Sequence, residues 1–175
     1  VMVDDAHATG VLGKHCRGTG DFFDLNVDIT MGTLSKALAG LGGYVVGSRE
    51  LIDYLRNRAR SFIYSTALPP PAVAAAKTAI DIIKEENPAK RLWQNIAIYK
   101  KGLADIGLTI NSRTQIVPIM TGDAKKTREA AEELDKLGIF VQGIRPPTVP
   151  EDKGRIRTTL MATHSEQDIN QALDA

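Results

Sequence analysis

The sequence predicts an α/β fold: an α/β half followed by a small α+β domain. Three observations carry this. Short apolar strand-like runs crowd the first fifty residues, helical apolar spacing dominates the middle, and the last third alternates strand-like and helical stretches.

The chain opens on "VMVDDAH", with Val1–Val3 reading as a buried strand that ends in Asp4-Asp5. Such a run, with no initiator methionine and no polar lead-in, is expected to be the later part of a longer protein. A Gly-rich passage, "GVLGKHCRGTGDFFD", follows, and then the strand-like stretches "VDITMGT" and "GYVVGS". In "RELIDYLRNRAR", Leu51, Leu55 and Ala59 share one helical face. "STALPPP" is a hard stop, because consecutive prolines continue neither a helix nor a central strand. It is the expected boundary between a first domain, 1–68, and a second, 69–175.

Beyond it, Val73, Ala76, Ile80 and Ile83 keep helical spacing, and so do Leu92, Ile96, Tyr99, Leu103 and Ile106, ended by Gly107. Pro118 inside "QIVPIM" predicts an edge strand or a bulge. Asp123 is placed to cap a helix through Leu137 that stops at Gly138. Strand-like "IFVQGI", a proline loop "RPPTVP" and the alternating "RIRTTLMA" follow. Ser165 with Asp168 then reads as a capping box opening a last helix.

Composition narrows the function. Lys+Arg 22 against Asp+Glu 21 leaves +1 with no long run of one sign, which argues against nucleic acid or an anionic membrane as partner. Cys16 is the only cysteine, so no disulfide framework is expected and a reducing, cytoplasmic compartment fits. No apolar run approaches the ~20 residues of a membrane span.

Chemistry concentrates in two stretches. In "DDAHATG", Asp4 and His7 stand three apart just past a strand, where open α/β sheets bind ligands; a capped turn with a partly exposed histidine is the plainer reading. In "MGTLSKALAG", Lys36 stands among small residues. An amine in crowded surroundings attacks carbonyls readily, although a solvated helix lysine has the same spacing. A pyridine aldehyde cofactor needs a lysine for an imine, a carboxylate for its ring nitrogen and donors for its phosphate. Lys36, Asp4, and Thr33 with Ser35 could supply these. "GTLSKA" lacks the ending of a P-loop, and His7, His15 and Cys16 are too scattered to predict a metal site. Trp93 and Tyr99 read as core, and His164 as a turn residue.

Five ordered stretches, "VDDAHATGVLGKHCRGTG", "TLSKALAGLGGYVVGS", "RSFIYSTALPPP", "GIRPPTVP" and "RIRTTLMATHS", resemble the C-terminal part of the α-oxoamine synthases. These are pyridoxal 5'-phosphate (PLP) enzymes of the aspartate-aminotransferase fold. The resemblance implies part of the large-domain sheet plus the small C-terminal domain, and a PLP-dependent acyltransferase acting as a homodimer whose site is shared between subunits. It implies that Lys36 forms the imine with PLP, Asp4 pairs with the ring nitrogen, and His7 bonds the phenolic oxygen. Thr33 would contact the phosphate, and Ser65 and Thr66 would reach a phosphate across the dimer interface. An arginine of "RIRTTL" would hold the amino-acid carboxylate, with Thr148 also on the substrate side. Arg155 and Arg157 are two apart on a strand and share a face, so facing does not choose between them; Arg157 is preferred. Within the family, "IYSTALPP" and "IRPPTVP" most resemble the synthases that use L-alanine and a pimeloyl thioester, of CoA or an acyl carrier protein, and the resemblance implies those substrates. The rival class is a non-catalytic domain that keeps the fold for dimerisation.

Overall fold

The computed structural model describes residues 1–175, which divide into two compact units, Val1–Ala89 and Lys90–Ala175. The division falls between Ala89 and Lys90, beyond the helix that the proline run begins, and not at the proline run itself. Pro70 occupies a first-turn position, where a missing N–H costs nothing.

The first unit is built on a three-stranded sheet, β1 (Met2–Asp4), β2 (Ile29–Thr33) and β3 (Gly43–Gly47), in the order β1-β2-β3. β1 and β2 are parallel, with Asp4 opposite Met31, and β2 and β3 are antiparallel, with Gly32 opposite Tyr44 and Thr33 opposite Gly43. A parallel pair needs a crossover, and the Gly-rich passage with the short helix α1 (Thr19–Phe23) supplies it. The crossover folds around Asp5, whose buried carboxylate accepts the Thr19 N–H at 3.0 Å and the Thr19 hydroxyl at 2.5 Å. Gly18, at φ 104°, passes so close to Asp5 that a Cβ would lie 2.2 Å from its Oδ2.

The expected burial of Val1–Val3 is not observed. β1 is an edge strand paired on one side only, so Val1 and Met2 are exposed. After β3 come α2 (Arg49–Arg58), N-capped by Ser48, then α3 (Arg60–Ile63) and α4 (Pro70–Glu86). Residues 61–70 between and around these helices are exposed throughout.

The second unit holds α5 (Ala89–Asp105), β4 (Ile116–Gly122), α6 (Ala124–Lys136), β5 (Gln142–Ile144), β6 (Gly154–Thr159) and α7 (Glu166–Asp174). Its antiparallel sheet has the order β4-β6-β5. Leu92, Ile96, Tyr99 and Leu103 form the buried stripe of α5, and Val117, Ile156 and Ile169 close the core. Ile106, expected to extend the stripe, is exposed beyond the end of the helix. Pro118 sits on the edge strand β4, whose register shifts between Met120 and Gly122; the sequence pattern is met on both counts. Phe140 lies outside β5 and is exposed. α6 is capped by Asp123, and α7 carries the full Ser165/Asp168 capping box. No helix is long and apolar enough to cross a membrane.

Candidate active site

Strand register places the candidate residues of the first unit. In a sheet, paired residues share a face and neighbours along the strand alternate. Asp4, Met31 and Thr33 therefore lie on one face, and Val3, Thr30, Gly32, Tyr44 and Val46 on the other. Asp4 ends β1 and Thr33 ends β2, so both stand at the carboxyl edge of the parallel pair. Lys36 follows three residues after Thr33 in the β2–β3 loop, and emerges at that same edge.

That loop is held tightly. The Leu34 N–H donates to Gly42 O at 2.9 Å, the Ala39 N–H to Lys36 O at 3.0 Å, and the Gly40 N–H to Leu34 O at 2.6 Å. Leu38 is buried beneath it. The Thr33 hydroxyl bonds Gly42 O at 3.1 Å and the Ser35 hydroxyl at 2.7 Å, while the Ser35 N–H donates to Thr33 Oγ1. The backbone carrying Lys36 is thus fixed while the side chain stays exposed. This corrects the expected crowding: Lys36 is exposed, because small neighbours on a loop leave space around an amine instead of enclosing it. The rival reading of a solvated helix lysine is met in the solvation and not in the helix, since Lys36 is on a turn.

Asp4 is also exposed, and its Oδ1 accepts the Ala6 N–H at 3.0 Å. The plainer reading of this segment, a locally bonded turn, is therefore present. The Ala8 and Thr9 N–H groups close the turn onto Asp5 O, with the exposed His7 between them and Asp4. Asp4 bonds its own turn and stays exposed. Of the two acids, Asp5 is the structural one and Asp4 the available one.

Ser65 and Thr66 are exposed, and the Ser65 hydroxyl donates to Ser61 O. Two residues past Thr66, Leu68 packs over Gly42, where a Cβ would come within 2.6 Å of its side chain. The segment thus runs beside the end of the Lys36 loop. His15 and Cys16 are engaged elsewhere: the His15 Nδ1 pairs with Asp21 at 3.0 Å and the Cys16 thiol with Asn87 Oδ1 at 3.6 Å. Burial pushes the Cys16 thiol up, with the Asp21 charge adding to it. A cavity of about 840 Å³ lies on the other face of the sheet, against Thr30, Tyr44, Val46, Leu38 and Ile80, and is lined by neither Asp4, His7 nor Lys36.

In the second unit, Arg155 and Arg157 share the β6 face opposite the one on which α6 packs. Their surroundings separate them. The Arg155 Nε donates to the Lys153 backbone carbonyl at 3.0 Å, whereas an Arg157 Nη donates to Gln142 Oε1 across the strand pair at 2.7 Å. Arg157 lines a cavity of about 690 Å³ with Gln142, Phe140, Leu160 and Met161; Arg155 does not. Thr148 is exposed in the β5–β6 loop, its N–H donating to Arg145 O. Gln142 was missed by the sequence reading. Its only sequence signal is alternation in "FVQGI", which acquires meaning once β5 is registered against β6.

The donor set at the sheet edge suits a phosphorylated pyridine aldehyde. It offers an exposed amine, an exposed carboxylate, and two hydroxyls close to the amine along the chain.

Residues 1–175 match the family model for aminotransferase class I and II, and the chain belongs to that family. Its fold is that of the PLP-dependent transferases. The 8-amino-7-oxononanoate synthase of Geotalea daltonii is 51% identical over 181 residues, covering 100% of this chain and 46% of that protein. Among solved structures, a serine palmitoyltransferase (SPT) holding PLP as an internal aldimine matches with TM-score 0.93 at 29% identity, over 99% of this chain and 45% of that one. The 8-amino-7-oxononanoate synthase of Francisella tularensis matches with TM-score 0.85 at 31% identity, over 99% of this chain and 52% of that one. The chain spans about half the length of the curated relatives it matches.

Proposed function

We propose that this chain is part of a PLP-dependent 8-amino-7-oxononanoate synthase of biotin biosynthesis. The full protein would condense L-alanine with a pimeloyl thioester, of CoA or an acyl carrier protein, releasing CO2 and the free thiol. The observation that supports this reading most is identity of about half the residues across the whole chain to such synthases, in a chain whose register brings Asp4 and Lys36 to one sheet edge.

When bound, PLP supplies an electron sink for the carbon that loses its proton and its carboxylate. Lys36 would hold the cofactor by its aldehyde carbon and would carry the α-proton of the amino acid. Asp4 would keep a proton on the ring nitrogen, and His7 would bond the phenolic oxygen. Thr33 would bind the phosphate, and Ser65 and Thr66 would bind that of a second subunit in a homodimer. Arg157 binds the substrate carboxylate, a task that suits a planar donor fork. Arg155 and Thr148 lie on the same substrate side.

An assay of the full-length protein with L-alanine, glycine and L-serine against several acyl thioesters, scored by CO2 release, tests this. Turnover with L-alanine and pimeloyl thioester is expected. Turnover confined to glycine with an acetyl thioester would make it a glycine C-acetyltransferase. No CO2 with any pair, and no borohydride-fixed cofactor, would leave the non-catalytic dimerisation reading.

A further inference from the structure

We infer that Gln142 is a positioning residue for Arg157, and that its being a neutral amide is what leaves the Arg157 charge free for an anionic ligand. This rests on the reading of Arg157 as the carboxylate-binding residue.

Arginine has donors and no acceptor, so the Gln142 atom facing it is the carbonyl oxygen. At 2.7 Å the bond is short for a nitrogen donor, as expected when the donor is charged. It is also cross-strand: Gln142 and Arg157 are register partners on β5 and β6, so both ends stand on sheet backbone. A long side chain that would otherwise sample many rotamers is thereby held in one direction, along the cavity that both residues line.

The unusual part is the identity of the partner. A carboxylate partner would fix the arginine and cancel its charge, whereas a neutral amide fixes it alone. Here none of the ion pairs includes Arg145, Arg155 or Arg157, three cations on β5, β6 and their margins. Arg145 and Arg155, like Arg157, bond neutral oxygens, those of Gly143 and Lys153. Asp168 is the acid that lines the same cavity; its Oδ2 accepts the backbone N–H and the hydroxyl of Ser165 at 2.7 and 2.8 Å, and it forms no ion pair with Arg157. The site thus has orientation without neutralisation. A glutamate at 142 would orient the guanidinium equally well and abolish its use.

The test is equilibrium titration of the full-length holoenzyme with L-alanine and with L-alaninamide, which lacks the carboxylate, followed through the absorption of the bound cofactor. Gln142→Met keeps the length and apolar stem and removes the acceptor. It should weaken L-alanine roughly tenfold and leave L-alaninamide unchanged, with KM for L-alanine rising and kcat held within about twofold. Gln142→Glu is isosteric and should weaken L-alanine roughly a hundredfold, since it pairs with Arg157 and repels the ligand. Equal weakening of both ligands in Gln142→Met, or no change in either variant, overturns the inference. Arg157→Gln separates the two levels. If it alters the preference for L-alanine over L-alaninamide while the Gln142 variants do not, only the positioning role falls. If it leaves that preference intact, the reading of Arg157 itself is wrong.

Discussion

In Val1–Ala89 the buried side chains come mainly from turns and loops, Ala8, Val11, Leu12, Cys16 and Leu38, whereas in Lys90–Ala175 they come mainly from helices and strands, Leu92, Ile96, Tyr99, Leu103, Val117, Ile156 and Ile169. The strands of the first unit leave Met2, Val45 and Val46 exposed, and its helices leave Tyr54, Phe62, Ile63 and Val73 exposed. The difference extends to the functional groups. Lys36 rides on a backbone-bonded turn with its side chain open and Asp4 ends β1 with its carboxylate bonded to the neighbouring turn, while Arg157 rides on a strand with its side chain bonded across the sheet. Polar hydrogen bonds within the loops fix the first site; apolar packing under the sheet fixes the second.

The largest effect should therefore come from a side chain whose removal leaves the fold untouched. Lys36 is exposed and its side chain anchors nothing, so Lys36→Ala should unfold like the parent protein. In the full-length protein it should abolish turnover and the borohydride-fixed cofactor, read by mass on the peptide spanning residue 36. A variant that keeps the fixed mass on this peptide would move the amine to another residue and undo the assignment of the sheet edge.

Stability should show the reverse ranking. Ile156→Ala removes a side chain from the closed core of the second unit and should cost about 3 kcal/mol in urea unfolding. Phe62→Ala, at an exposed position of the first unit, should stay within about 0.5 kcal/mol in the same chain. Similar costs for the two would mean that the exposed apolar segment packs in solution. Gly154→Ala probes the second unit differently. Its Cβ would fall 2.3 Å from Thr127 Oγ1 and 2.5 Å from Gly122 O, between α6 and the sheet. Overpacking of about 1–3 kcal/mol is expected, measured as a lower urea midpoint.

The same contrast explains what could be read from the sequence. The second unit was legible because its signals are local: the four-residue stripe of α5, the proline of β4, and the cap of α7 each act within a turn or a strand. In the first unit the strands were legible and their burial was not. "VMV" is apolar, but burial belongs to what lies over a strand, and β1 is covered on one side by β2 alone. The crowding predicted for Lys36 failed for a related reason, since small residues mark a tight loop as readily as an enclosed site. Asp4 and Lys36 could be paired from their strand-end positions, because parallel strands bring their carboxyl ends together. Gln142 could not, because its value lies in a register with Arg157 that no local pattern encodes.

The smallest effect concerns the cap of α7, and it also tests how far local signals carry. The Ser165 hydroxyl accepts the Asp168 N–H at 3.1 Å, and the Asp168 carboxylate accepts the Ser165 N–H at 2.7 Å. Bonding first from the Ser165 backbone and then from its hydroxyl holds the Asp168 carboxyl below the ordinary carboxylate range. A carboxyl whose folded pKa is depressed stabilises the fold above its unfolded pKa, and that contribution is lost as pH falls through the folded value. Ser165→Ala should cost about 1 kcal/mol at neutral pH. Because the hydroxyl is one source of the depression, the variant should lose less stability on acidification, with the loss complete at a slightly higher pH. Urea midpoints of parent and variant from pH 7 to pH 3 should therefore lie furthest apart at neutral pH and converge as Asp168 protonates. A separation that stays constant over this range would show that the cap acts through the serine hydroxyl alone, with the carboxylate a bystander.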